Sequence, residues 1–64
     1  MIVCVHKISS ESYKIKVYTG LDVLYYDARQ VAVIPTTLIV EYDELVIDAE
    51  AIEVKDDRVI ILRK

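Results

Sequence analysis

Apolar and polar residues alternate along most of this chain, and the informative stretch runs from Tyr42 to Arg63. In Ile47-Asp48-Ala49-Glu50-Ala51 every second residue is apolar. An extended strand turns such a pattern into one apolar and one acidic face. Ile52-Glu53-Val54-Lys55 alternates too, but in the opposite phase. Ala51 and Ile52 therefore cannot both face a core from a regular strand. One extra residue restores the register, so the pattern predicts a β-bulge or sharp bend near Glu50 to Ile52. Lys55-Asp56-Asp57-Arg58 is a polar break suited to a hairpin loop built around a type I turn. Val59-Ile60-Ile61-Leu62 is apolar on both faces, as expected in the middle of a covered sheet or at a subunit interface.

The remaining segments read as short strands. Ile2 to Ile8 is the first, with Val3 and Val5 on one face and Ile2, Cys4 and His6 on the other. A polar cluster, Ser9-Ser10-Glu11-Ser12, leads into Tyr13 to Thr19, where Tyr13, Ile15 and Val17 alternate with Lys14, Lys16 and Tyr18. The short connection predicts an antiparallel hairpin. Gly20, the only glycine, breaks the pattern and is the position expected to take a positive φ. Val23 to Tyr26 and Val31 to Ile34 read as two further strands joined in a hairpin by the polar turn Asp27-Ala28-Arg29-Gln30. Pro35 ends a strand or marks an edge. Leu38 to Tyr42 reads as another strand and Asp43-Glu44 as a turn.

A helical reading competes in two places. Leu21, Leu24, Tyr25, Ala28 and Ala32 share a helical face within 21–33, and Tyr42, Leu45, Val46, Ala49 and Ile52 sit at helical spacing around 43–53, where Asp43 suits an N-cap. The abundance of Val, Ile, Tyr and Thr favours strand. The expected fold is a single all-β domain over residues 1–64: a small, mostly antiparallel curled sheet or small barrel of about five to seven short strands. The alternative is an α+β domain with one helix near 21–33 or 43–53.

Composition adds a constraint on stability. The chain has 64 residues, of which 55% are hydrophobic. A domain this small buries only about 60% of its unfolded surface and normally needs a disulfide, a metal or a partner subunit. Cys4 is the only cysteine and His6 the only histidine, which excludes an internal disulfide and leaves a zinc site short of ligands. Oligomerisation remains. Its expected interface is Val59, Ile60, Ile61 and Leu62 with Ile2 and Cys4, through edge strands open to another copy or to a partner protein.

Charge and motifs narrow the chemistry. The formal charge is −3, which weighs against general binding to a phosphate backbone. A local basic strand, Lys14 and Lys16 with Tyr18 and Lys7 beside it, matches the charge-plus-ring pattern of small nucleic-acid binders. Its bland alternative is cross-strand pairing with Asp48 and Glu50. Asp48, Glu50 and Glu53 form a candidate acidic face for a basic partner, as in a decoy or inhibitor. No glycine-rich loop and no pairing of nucleophile with base is visible, so the expectation is a non-enzyme without cofactor or metal. No apolar run reaches membrane-spanning length, and a free thiol suits a reducing cytoplasm. The expected function is a homo-oligomeric interaction module that binds a protein partner. Nucleic-acid binding and acidic mimicry are its alternatives.

Overall fold

The computed structural model describes residues 1–35 and 44–64. Six strands are present: β1 (Ile2–Ser9), β2 (Ser12–Tyr18), β3 (Val23–Ala28), β4 (Gln30–Ile34), β5 (Glu44–Lys55) and β6 (Arg58–Arg63). They form one mixed sheet in the order β3-β2-β1-β5-β6-β4, curled into a half-barrel. The small all-β expectation holds. Residues 21–33 and 44–53 contain no helix, because β-branched and aromatic residues at a period of two outweigh the weaker helical spacing. The expected strand 38–42 lies outside the described residues, as does Asp43. Glu44 belongs to β5 rather than to a turn.

β5 organises the sheet. Its first half pairs antiparallel with β1, from His6↔Glu44 to Ile2↔Asp48. Its second half pairs antiparallel with β6, from Ala51↔Leu62 to Lys55↔Arg58. Between the halves the register shifts from Ala49↔Arg63 to Ala51↔Leu62, which leaves Glu50 as the extra residue. The phase change in the sequence is therefore a β-bulge, and it lies where β5 passes from one partner to the other. Main-chain bonds brace the corner: Ala49 N donates to Met1 O at 2.8 Å, and Lys64 N donates to Asp48 O at 3.1 Å. The bulge lets Ile47 and Ala49 before it, and Ile52 after it, all turn to the concave face.

That concave face is the core. Val3 and Val5 of β1, Tyr13, Ile15 and Val17 of β2, Ala28, Val33, Ile47, Ala49, Val59 and Ile61 are buried together. Tyr26, Val31, Leu45 and Ile52 pack against them. No polar or charged residue is buried among the described residues. Burying each large aliphatic side chain contributes about 1.5 to 3 kcal/mol, so the alternation in β1, β2 and β6 is the main local source of stability.

Several expectations about strand neighbours are corrected. β3 and β4 do not form a hairpin; they are the two outer strands of the sheet. Only Arg29 separates them, too little chain for a reversal, so the backbone turns a corner instead. Arg29 N and Gln30 N both donate to Asp57 O, at 2.8 and 3.1 Å. β4 then runs parallel to β6, from Gln30↔Arg58 to Ile34↔Leu62, and ends at a cis peptide bond before Pro35. The segment at Val59 to Leu62 is an inner strand, as its two apolar faces suggest, but neither it nor Ile2 to Ile8 is an edge. The loop after β5 holds only Asp56 and Asp57, and Asp56 has φ 52°. A type I turn has negative φ at that position, so the expected type is replaced by a tighter turn with positive φ at its first residue. Gly20 takes φ 102°, in a loop tied by Thr19 N donating to Asp22 O at 3.0 Å.

Candidate functional site

The convex face of β3-β2-β1-β5 carries the side chains left over by the core, and the registers place them in three rows. The first is Val23–Tyr18–Ile2–Asp48, the second Tyr25–Lys16–Cys4–Val46, and the third Asp27–Lys14–His6–Glu44. The first two rows are largely apolar and the third is polar throughout. Tyr25 and Val46 are 71% and 68% exposed, so the apolar rows open to solvent at both ends.

Between the second and third rows lies a groove of about 370 Å³, lined by Cys4, His6, Lys14, Lys16, Tyr25, Asp27 and Glu44. Its size falls in the range of about 300 to 1,000 Å³ typical of small-ligand sites. Lys14 Nζ donates to Asp27 Oδ1 at 3.2 Å, and His6 Nδ1 lies 3.4 Å from Glu44 Oε1. Both pairs are solvent-exposed and contribute at most about 1 kcal/mol each. Lys16 is different. Among the described residues it has no carboxylate within ion-pair distance. Its Nζ sits 5.2 Å from the Tyr18 ring centre and 5.7 Å from that of Tyr25, a double cation–π arrangement. The Tyr18 hydroxyl, followed by the charges that Tyr18 and Tyr25 can carry, holds Lys16 above the ordinary lysine range. Lys16 is therefore a half-buried ammonium lying close to two rings.

The basic set divides. Lys14, Lys16 and Tyr18 share the convex face, whereas Lys7 pairs with Tyr13 on the opposite face. The partner of Lys14 is Asp27 of β3, not Asp48 or Glu50, because β1 lies between β2 and β5. Asp48, Glu50 and Glu53 are exposed along β5, and Asp48 lies 3.9 Å from the N-terminal ammonium.

The six residues expected at an oligomer interface divide as well. Val59 and Ile61 are fully buried in the chain's own core. Ile60 and Leu62 face outward from β6, where they pair with Ala32 and Ile34 of β4. Ile2 and Cys4 are on the convex face of β1, two strands away from the β3 edge and three from the β4 edge.

Cys4 and His6 share a face, but no group of three or more His, Cys, Asp or Glu side chains comes together among the described residues. His6 makes no hydrogen bond to a hydroxyl in that part of the chain. Among the same residues no helix is long and apolar enough to cross a membrane.

The sequence pattern alone missed Tyr25, Asp27 and Glu44 as groove residues. Val23, Tyr25 and Asp27 do alternate as one face of a strand, but nothing local says that this strand lies beside Lys14 and Lys16. Scanned against protein-family models, curated proteins and solved structures, the chain matches none of them.

Proposed function

We propose that this protein is a non-catalytic interaction module that works as a homodimer, joined by antiparallel pairing of β3 with β3 of a second copy. The observation that carries the reading is the free edge of β3. The Thr19–Asp22 bond starts an alternation along the β2–β3 ladder. In that alternation Leu24, Tyr26 and Ala28 point their N–H and C=O groups at β2, and Val23, Tyr25 and Asp27 point theirs outward. No strand pairs with that side among the described residues. Edges of this kind are normally guarded by proline, lysine or a bulge. β3 has neither proline nor lysine, and its register with β2 is unbroken from Tyr13↔Ala28 to Tyr18↔Val23.

A twofold axis at Tyr25 gives the fullest overlap. Tyr25 then faces its counterpart, Val23 faces Asp27 of the other copy, and about six backbone hydrogen bonds close the pair. On the concave side Leu24, itself 40% exposed, meets Tyr26 of the other copy. The joined sheet runs β4-β6-β5-β1-β2-β3-β3-β2-β1-β5-β6-β4. It covers Leu24 and the outer sides of Val23 and Tyr25, part of the apolar surface that so short a chain leaves open. The convex face of the dimer is then the surface offered to partners, in a reducing cytoplasm suited to the free Cys4.

Sedimentation at micromolar concentration tests the assembly. The wild type is expected as a dimer, and Tyr25→Pro as a monomer with its strand circular dichroism intact. The proline removes an outward N–H and leaves the β2 ladder unbroken. A wild-type monomer, or a dimer that survives Tyr25→Pro, refutes the edge pairing.

A further inference from the structure

We infer that the convex face around Lys16 binds single-stranded nucleic acid, with bases stacked on Tyr18 and Tyr25 and the backbone phosphate held by Lys16. All three residues belong to one chain, so the inference stands whether or not the dimer forms. The argument begins with the cation. Lys14 is neutralised by Asp27 at 3.2 Å, while Lys16 has no carboxylate partner among the described residues. An ammonium without a carboxylate partner and with two aromatic rings within 6 Å offers one phosphate contact and two stacking surfaces. A carboxylate-bearing peptide would use the charge but leave both rings idle.

The overall charge of −3 does not decide the matter, because Asp27 on the neighbouring strand is paired with Lys14 and the acids of β5 stand apart. Glu44 and Asp48 are on β5, two strand spacings from β2, or about 10 Å. That is about one Debye length at 0.1 M salt, so their repulsion is largely screened at Lys16. A duplex hides its base faces in its own stack and gains nothing from Tyr18 or Tyr25. A free mononucleotide reaches one ring and one charge, and the 71% exposure of Tyr25 leaves it little enclosure. A single strand, able to engage both rings and run past Lys16, fits best.

The test is fluorescence anisotropy with a labelled oligodeoxythymidine of about 12 nucleotides, titrated between about 50 and 200 mM salt. Binding is expected to weaken with salt at a logarithmic slope of about −0.7 for each Lys16 engaged. Lys16→Ala is expected to remove that slope. Tyr18→Ala should weaken binding roughly tenfold and leave the slope unchanged. Both positions lie on β2, away from the β3 edge, so sedimentation of the same variants separates loss of binding from loss of assembly. Circular dichroism identifies a variant that has lost its fold, in which case Lys16→Gln and Tyr18→Ser carry the same test. The inference is overturned if the oligonucleotide does not bind at the lowest salt, or if binding is unchanged in both folded variants. Equal affinity for a duplex of the same length also overturns it, as does equal competition by thymidine monophosphate.

Discussion

Deleting Glu50 should straighten β5 while leaving its core residues in phase, so its cost is that of the corner. Glu50 is the residue by which β5 exceeds its partner between Ala49↔Arg63 and Ala51↔Leu62. Without it, Ile47, Asp48, Ala49, Ala51, Ile52 and Glu53 alternate without a break, and Ile47, Ala49 and Ile52 still face the core. What goes is the local bend that a bulge supplies. The two main-chain bonds that brace the bend, from Ala49 N to Met1 O and from Lys64 N to Asp48 O, go with it. At about 0.5 to 1.5 kcal/mol for each bond, the deletion should cost about 1 to 3 kcal/mol. A chain of 64 residues has a total stability of about 3 to 10 kcal/mol, so the variant should stay folded with a lower midpoint. Glu50→Ala removes an exposed side chain and keeps the bulge, so it should stay within about 0.5 kcal/mol of wild type. Urea unfolding followed by circular dichroism measures both variants. A deletion variant with no folded baseline in water, beside a Glu50→Ala variant like wild type, would falsify the reasoning that both halves of β5 stay in phase without the extra residue.

Two further substitutions probe the same frame. Ile15→Ala, at a position 1% exposed, should cost about 3 to 4 kcal/mol in urea unfolding, and a loss below 1 kcal/mol would contradict its place at the centre of the core. Gly20→Ala meets no atom within 4 Å, so its cost is the backbone strain of φ 102° alone. Offset by lower unfolded-state entropy, that amounts to a net of about 1 kcal/mol. A melting temperature unchanged in Gly20→Ala would show that the loop relaxes to negative φ.

Period-two alternation made much of this fold legible. It placed Val3 and Val5 against Ile2 and Cys4, separated Ile15 from Lys14 and Lys16, and located the bulge from a change of phase at Ala51 and Ile52. The same alternation sets Lys7 on the face of Val5, so grouping Lys7 with Lys14 and Lys16 by charge overlooked it, and the pairing of Lys7 with Tyr13 corrects it. Strand order was not legible, because backbone hydrogen bonds join any strand to any other and carry no residue code. The groove shares that limit. Asp27, Lys14, His6 and Glu44 come from four strands, and their row exists only once β3, β2, β1 and β5 are set side by side. β4 exposed a different weakness: a polar stretch between apolar runs reads as a reversal, yet Arg29 turns a corner and sends β4 to β6.

Two of the strands with apolar residues on both faces, β6 and β3, sit in different places. Val59 to Leu62 lies between β5 and β4, where an unbroken apolar run belongs. Val23 to Tyr26 has the same character but lies at an edge, with Val23, Leu24 and Tyr25 all exposed. Solvent-facing edge strands usually mix in charge, and the one charge on β3, Asp27, is already held by Lys14. Local composition and position thus agree for β6 and disagree for β3 within a single chain. Natural sequences are locally consistent with their working fold, so a disagreement of this kind points to surroundings beyond one subunit. Adding a second β3 gives this strand a neighbour on each side, as β6 has. That removes the disagreement without moving any residue of the core.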